Sequence, residues 1–243
     1  MYVLGIETTG AFASVALVKD AEAINEVHGS SRFSHLQELM PQVREVLTKC
    51  GMTIGDIDVI AVSAGPGSFT GIRIGVSSAR ALSQITGLPC VPVSSLEALA
   101  MNASEVAGQE TLVCPVLDAR RQQVYAGAYF IREGMPAEVI KAGPYMADEF
   151  MNLTAEHDNI MLLGDGIDKY GDLIRNIRPE GIQTAPEDIR YQNAVSVARI
   201  GERIFADRGG LPYDKVKPDY MRIPEAERRL REKQAQERKN ETV

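Results

Sequence analysis

The same order of secondary-structure elements is predicted twice along this chain of 243 residues. In the first half, apolar runs, alternating segments and amphipathic stretches follow one another with short turns between them. The predicted elements are strands at 2–7, 13–18 and 24–28, a helix over 34–51, a strand at 59–64 and a helix at 72–85. The order is therefore three strands, helix, strand, helix, or βββαβα.

The pattern restarts beyond a short strand near 90–93, a helix at about 95–102 and a polar linker at 103–110. The second series has strands at 112–117, 124–130 and 138–140, a helix at 147–153, a strand at 160–164 and a helix at 167–177. A helix over 193–207 follows, and the highly charged stretch 225–239 is interpreted as a solvated helix. We expect an N-terminal lobe at 1–105 and a C-terminal lobe at 106–243.

Two βββαβα units in tandem are the topology of the actin, Hsp70 and sugar-kinase (ASKHA) superfamily, so the predicted fold class is α/β with two such lobes. Members of that superfamily bind ATP between the halves, beside a carboxylate and a glycine-rich turn after the first strand of each half. Glu7-Thr8-Thr9-Gly10 supplies an acid, two hydroxyls and one glycine in the first half. In the second half, Asp118-Ala119-Arg120-Arg121 places arginines where glycines are needed.

The run Gly65-Pro66-Gly67-Ser68-Phe69-Thr70-Gly71-Ile72-Arg73-Ile74-Gly75 joins a predicted strand to a helix. Glycine and a helix N-terminus are suited to anions, because glycine lets a ligand approach the backbone and the helix presents unpaired N–H groups. The spacing matches neither common phosphate-binding pattern, and a purely structural turn is an equal alternative. Candidate vestigial nucleotide contacts are Glu7, Thr8, Thr9, Gly10, Gly67, Asp118, Gly164 and Gly166.

Composition excludes some classes of function. A formal net charge of −7 argues against high-affinity binding of nucleic acid by this chain alone, because such affinity comes from Lys and Arg neutralising phosphates. Three widely spaced cysteines are typical of free thiols in a reducing compartment. Without an apolar run of about 20 residues, a membrane span is not expected. The predicted location is the cytoplasm.

Six segments together resemble one known family over nearly the whole chain. They are Leu4 to Thr9, Ser34-His35-Leu36-Gln37-Glu38-Leu39-Met40-Pro41, the Gly65 to Gly75 run, Asp118-Ala119-Arg120, Gly164-Asp165-Gly166 and Pro218-Asp219-Tyr220-Met221-Arg222. They look like the bacterial TsaB family, and the glycine run is a specific marker of it. The resemblance implies a non-catalytic subunit of the machinery that places threonylcarbamoyl on the adenosine beside the anticodon of tRNAs reading codons that begin with adenine.

In that family the partners are TsaD, a paralogue of the same fold that carries the metal and the active site, and the ATPase TsaE. The resemblance thus implies contact with tRNA through the complex, no cofactor of the chain's own, and leaves open ATP or ADP at an interface with TsaD. TsaD-like proteins hold a metal with a His-x-x-x-His pair, whereas His35 is followed four residues later by Leu39. We therefore predict no metal site and interpret His35 as a surface or capping residue.

The helix after the glycine run predicts a protein partner. It is apolar on more than one side and otherwise rich in small residues, so more than one side must be covered. A paralogue or a second copy of the free chain would cover it, and burial under the chain's own helix at 34–50 is an equal alternative. The candidate partner-binding residues are His35, Leu39, Ile72, Arg73, Val76, Ser77 and Arg80. Val76→Glu is expected to abolish association and leave the fold intact.

Two other functions stay open. An autonomous ATP-dependent kinase or carbamoyl transferase of the same fold would use Glu7, Asp118 and the glycine run. A metallopeptidase would need a bound metal, for which the sequence offers no histidine pair with ligand spacing.

Overall fold

The computed structural model describes residues 1–32 and 34–221, which form two five-stranded sheets. The first sheet contains β1 (Tyr2–Glu7), β2 (Ser14–Lys19), β3 (Glu22–His28), β4 (Val59–Gly65) and β5 (Cys90–Ser94), in the order β3-β2-β1-β4-β5. β1 pairs antiparallel with β2 and parallel with β4. β4 is buried at every position, as expected for a central parallel strand whose two faces are both covered.

The second sheet repeats this arrangement. It contains β6 (Leu112–Asp118), β7 (Gln123–Arg132), β8 (Met135–Met146), β9 (Ile160–Leu163) and β10 (Ile182–Thr184), in the order β8-β7-β6-β9-β10. β6 pairs antiparallel with β7 and parallel with β9, so that β6 corresponds to β1 and β9 to β4. The predicted α/β fold with two repeated units is confirmed.

Six α-helices cover the sheets in the described part of the chain. They are α1 (His35–Lys49), α2 (Phe69–Thr86), α3 (Ser95–Met101), α4 (Ala147–Leu153), α5 (Gly166–Ile177) and α6 (Ala194–Arg208). α1 and α2 pack on the first sheet, and α4 and α5 pack on the second. In the same ranges, none of the helices combines the length and apolar content that crossing a membrane needs.

Each of the other two helices packs mainly on the sheet of the opposite half of the chain. α6 packs on β1, β2, β4 and β5 of the first sheet, whereas α3 packs mainly on the strands of the second sheet, and the two helices touch. Gly5 permits the approach of α6, because a Cβ there would overlap the carbonyl oxygen of Ala194. α6 belongs by sequence to the predicted C-terminal lobe but packs on the first sheet. The division of the chain at residue 105 stays a prediction.

Several local features differ from the sequence-based expectation. The strand β10 was not predicted, because it has three residues and a single apolar side chain, Ile182. The polar linker after α3 is not fully solvated, since Ala103 is completely buried. Ser34 has the residue type and the position of an N-cap for α1, but its hydroxyl donates to the carbonyl of Ser31 and does not cap the helix. The charged stretch 225–239 lies outside the described residues.

Candidate functional site: the glycine loop and the outer helices

The loop between β4 and α2 packs against the turn that follows β1. A Cβ on Gly71 would overlap the carbonyl oxygen of Thr8, and one on Gly75 would overlap the Thr8 hydroxyl. A Cβ on Gly67 would lie 2.8 Å from Thr9 Cβ. The glycines thus permit a close approach of backbone to backbone, and the approaching group is this chain's own turn.

Hydrogen bonds join the same two segments. Thr8 Oγ1 donates to the carbonyl of Gly71 at 2.8 Å, and the amide of Ser68 donates to the carbonyl of Thr9 at 2.9 Å. Ser68 caps α2 by accepting from the amide of Gly71 at 3.2 Å. Thr8 and Thr9 are both buried. Backbone and hydroxyl groups that would face a phosphate in a nucleotide site therefore bond one another.

Glu7 is completely buried at the end of β1. Its Oε1 accepts from the amide of Thr9 and, at 2.6 Å, from the Thr9 hydroxyl. Oε2 has no hydrogen-bond partner among the described residues. Burial raises the pKa of this carboxyl, and the bonds from Thr9 oppose the rise. This acid closes the turn from inside and does not face an open cleft.

His35 ties α1 to the same turn. It is 3% exposed, and its Nε2 lies 3.0 Å from the carbonyl oxygen of Gly10, a geometry in which the ring donates. Burial lowers the pKa of the imidazole, which favours the neutral ring with its proton on Nε2. The expectation of a surface or capping histidine was wrong. Within residues 1–32 and 34–221, no group of three His, Cys, Asp or Glu side chains could hold a metal ion.

The turn after β6 is built differently. Asp118 accepts from Lys169 Nζ at 2.8 Å, from the Tyr170 hydroxyl at 2.9 Å and from the amide of Arg120 at 2.7 Å. Partial burial raises the pKa of Asp118, but the bonds from these three residues outweigh burial, so that its pKa lies below the ordinary value. Asp118 is thus held ionised by groups close to solvent.

Two further features define this second-lobe turn. Arg120, Arg121 and Gln122 have φ values of 65°, 54° and 61°, a left-handed conformation that is costly for residues other than glycine. Gly164 and Gly166, between β9 and α5, pack against Val116, where a Cβ on Gly164 would overlap the Val116 carbonyl oxygen. These two glycines therefore also serve contacts within the chain.

The predicted partner-binding residues divide into two sets. His35, Leu39, Ile72 and Val76 are buried in the chain's own first lobe, as the alternative of self-burial predicts. Arg73, Ser77 and Arg80 are exposed on α2. Because Val76 is 1% exposed, the expectation that Val76→Glu leaves the fold intact is not compatible with its position.

Large exposed apolar side chains on α1 and α2 mark a surface that the sequence pattern did not identify. Leu36 is 73% exposed, and Met40 and Phe69 are about half exposed. Apolar spacing alone places Leu36 and Met40 in one stripe with Leu39, whereas in the structure both are exposed, one turn apart on the solvent side of α1. We define the outer face of α1–α2 by its exposed residues Leu36, Met40, Arg44, Phe69, Arg73, Ser77 and Arg80.

Comparison with known proteins gives consistent results. A family model described as TsaD, tRNA N6-adenosine threonylcarbamoyltransferase, matches residues 30–181. A Bacillus subtilis protein called tRNA threonylcarbamoyladenosine biosynthesis protein TsaB is 33% identical, covering 96% of this chain and all of the relative. Two solved structures share the fold. YeaZ from Pseudomonas aeruginosa has a TM-score of 0.76 at 24% identity (90% of this chain, 99% of that one), and a ROK hexokinase from Thermus thermophilus has 0.52 at 11% (85% and 100%).

The repeated sheets and the shared folds define a two-lobed α/β protein with the fold of the actin, Hsp70 and sugar-kinase superfamily. The match to the Bacillus subtilis relative along its full length then identifies the family. The chain belongs to the TsaB family.

Proposed function

We propose that this chain is a non-catalytic subunit of the bacterial complex for tRNA threonylcarbamoyladenosine biosynthesis. In this proposal it pairs with a TsaD paralogue, with the ATPase TsaE as a third component. The complex transfers threonylcarbamoyl from threonylcarbamoyl-AMP to the adenosine 3′ of the anticodon in tRNAs reading codons that begin with adenine. Membership of the TsaB family supports the pathway, and the remaining steps are argued from the residues below.

The observation that carries the docking role is the outer face of α1–α2. Large exposed apolar side chains on two helices that pack against each other are typical of protein interaction sites. Arg44, Arg73 and Arg80 add positive charge to this face, and the Arg73 guanidinium lies 5.3 Å from the centre of the Phe69 ring. Arginine and aromatic residues are enriched among the energetically dominant residues of interfaces. We infer that the TsaD paralogue presents an apolar surface rimmed by acidic residues to this face.

The state of the glycine loop supports a non-catalytic role. Thr8, Thr9 and the loop glycines bond or pack against one another, and Glu7 is sealed behind them. In the second lobe, Arg120 and Arg121 hold positions where a phosphate would need glycine. With both turns arranged in this way, the chain acts by docking, and any ATP or ADP of the complex lies at the interface with TsaD.

The charge of the chain supports an indirect contact with tRNA. A formal net charge of −7 provides little general attraction for phosphates. We therefore infer that the more basic components of the complex hold the tRNA and that this subunit holds the TsaD paralogue in its competent conformation.

Light scattering of the chain mixed with a purified TsaD paralogue tests the proposal. A one-to-one heterodimer is expected, and each protein run alone establishes whether the free chain is a homodimer. Leu36→Glu should weaken association at least about tenfold, because it places a charge in a desolvated contact. Leu153→Glu is the matched control, since Leu153 is an exposed leucine on α4 of the other lobe. Two independent species in the mixture, or equal effects of the two variants, would contradict the proposed surface.

A further inference from the structure

The segment 216–221, here called the strap, lies across the glycine loop. It follows a short 3-10 helix at Tyr213–Lys215. Val216 is completely buried in the core of the first lobe. The amide of Asp219 then donates to the carbonyl of Ala64 at 2.7 Å, at the end of β4. The strap is therefore fixed to the strand that leads into the loop.

The strap passes directly against Gly65. Its φ is 120°, and a Cβ there would overlap the carbonyl oxygen of Asp219. This contact differs from that of Gly71, whose missing Cβ makes room for Thr8 and not for the strap. The glycine loop thus has two occupants from the same chain, the turn after β1 and the strap.

Two side chains of the strap contact other parts of the fold. The Tyr220 ring lies 4.8 Å from the Phe69 ring at the first residue of α2, and Arg73 lies over that same ring. Met221 packs against the cluster that contains Leu96 and Leu117, between α3 and the second sheet. The strap therefore spans from the first turn of α2 to the packing between the lobes.

We propose that the strap is a built-in occupant that keeps the glycine loop closed and holds the first turn of α2 in place. Its backbone fills the space beside Gly65 that an incoming phosphate group would require. Its tyrosine supports Phe69, which lies in the outer face of α1–α2. This second role rests on the proposed function, whereas the first depends on the chain alone.

A double-mutant cycle in the full-length chain tests the closure. Gly65→Ala should raise the equilibrium constant for unfolding at least about tenfold, because the new methyl group meets the strap and the residue has positive φ. In a Tyr220→Ala background the strap can yield, so the effect of Gly65→Ala should shrink by about threefold or more. Gly71→Ala is the matched control, and its effect should be the same in both backgrounds. An unchanged effect of Gly65→Ala would overturn the proposal.

Hydrogen exchange provides a second measurement that needs no glycine variant. In the unmodified protein, the amide of Asp219 should be protected at least about a hundredfold, because it is bonded to Ala64 in a packed segment. Tyr220→Ala should reduce this protection, and Tyr213→Ala, which changes an exposed tyrosine outside the strap, should not. Exchange of the Asp219 amide at the rate of an unstructured peptide would overturn the proposal.

The docking role of the strap is measured separately. Tyr220→Ala should weaken association with the TsaD paralogue several-fold relative to Tyr213→Ala. If the unmodified chain forms no heterodimer, the proposed function fails and the closure measured by the cycle stands. If the heterodimer forms and both tyrosine variants bind equally, the support of Phe69 by the strap is contradicted.

Discussion

The turns after β1 and after β6 occupy equivalent places in two sheets of the same topology, yet they are held by different forces. The first is sealed by packing, with Glu7, Thr8 and Thr9 buried against the glycine loop. The second is held by polar bonds close to solvent, in which Asp118 binds Lys169 and Tyr170. Steric contacts in a close-packed interior are sensitive to single atoms, whereas exposed ion pairs contribute little.

This difference explains how equivalent turns in two sheets of the same topology are both used for contacts within the chain. In the first lobe the close approach of Thr8 and Thr9 requires the glycines of the loop. In the second lobe the turn tolerates Arg120 and Arg121 in left-handed conformations, because Asp118 accepts the backbone amide of Arg120. The comparison predicts large effects of substitution where the first turn packs on the glycine loop and small ones at the polar contacts of Asp118 in the second.

The largest effect is expected at Val76, on the side of α2 that faces the first core. Val76→Glu buries an unpaired charge and should lower the free energy of unfolding by about 4 kcal/mol or more. The neighbouring variant Ser77→Glu lies on the exposed side and should change it by at most about 0.5 kcal/mol. Urea denaturation of both variants measures the difference. Similar stability of the two variants would contradict the claim that close packing holds the first lobe.

Substitution by alanine at Gly75 in α2 and at Gly171 in the corresponding helix α5 should change stability in opposite directions. Gly75→Ala in α2 displaces the Thr8 hydroxyl from its bond with Gly71 and should cost about 1 to 3 kcal/mol. Gly171→Ala in α5 meets only ordinary contacts with Arg175 and Ile167, so the better helix propensity of alanine should add up to about 1 kcal/mol. Thermal unfolding of the two variants checks this. Stabilisation by Gly75→Ala would show that the turn does not fill the loop.

The two acids should give opposite dependences on pH. Burial raises the folded pKa of Glu7, so its contribution to stability is full below the unfolded pKa of about 4.3 and is lost as pH rises through the folded value. Glu7→Gln keeps an acceptor for Thr9 and removes the buried charge. The variant should therefore be more stable than the parent by about 1 to 3 kcal/mol above the folded pKa, with the advantage declining toward acid.

Asp118→Asn is the matched second-lobe variant. The folded pKa of Asp118 is lowered, so its stabilisation is present above the unfolded value of about 3.9 and is lost as pH falls through the folded value. The variant should lose less than about 1 kcal/mol near neutral pH, after solvent screening, and should equal the parent in acid. Denaturation of both variants and the parent across a pH series measures the two effects on stability. The same sign of effect for Glu7→Gln and Asp118→Asn at neutral pH would contradict the comparison.

The smallest effect is expected from Lys169→Met. The side chain of Lys169 is half exposed in its pair with Asp118, so removal of its ammonium should change stability by no more than a surface ion pair does. That small difference should vanish in about 1 M salt, where exposed charges are screened. Denaturation at low and high salt measures it, and a large loss that persists at high salt would mean that the second-lobe turn is also held by packing.

Element order was predictable from the sequence because periodicity reports which faces of a strand or helix are buried. The repeated βββαβα units followed from runs such as 2–7 and 112–117. The partners of the glycines were not predictable, because Thr8 and Asp219 reach Gly71 and Gly65 only through the tertiary fold. In the same way, an apolar stripe on α1 did not distinguish buried Leu39 from exposed Leu36. The roles of Arg73, Ser77 and Arg80 in binding a partner stay predictions.

Calorimetric titration of the isolated full-length chain with Mg-ATP tests the central claim most directly. Because the turn after β1 and the strap fill the glycine loop, the expected result is no saturable heat of binding at millimolar nucleotide. Stoichiometric binding with a dissociation constant in the micromolar range would contradict the claim that the chain's own backbone closes this site.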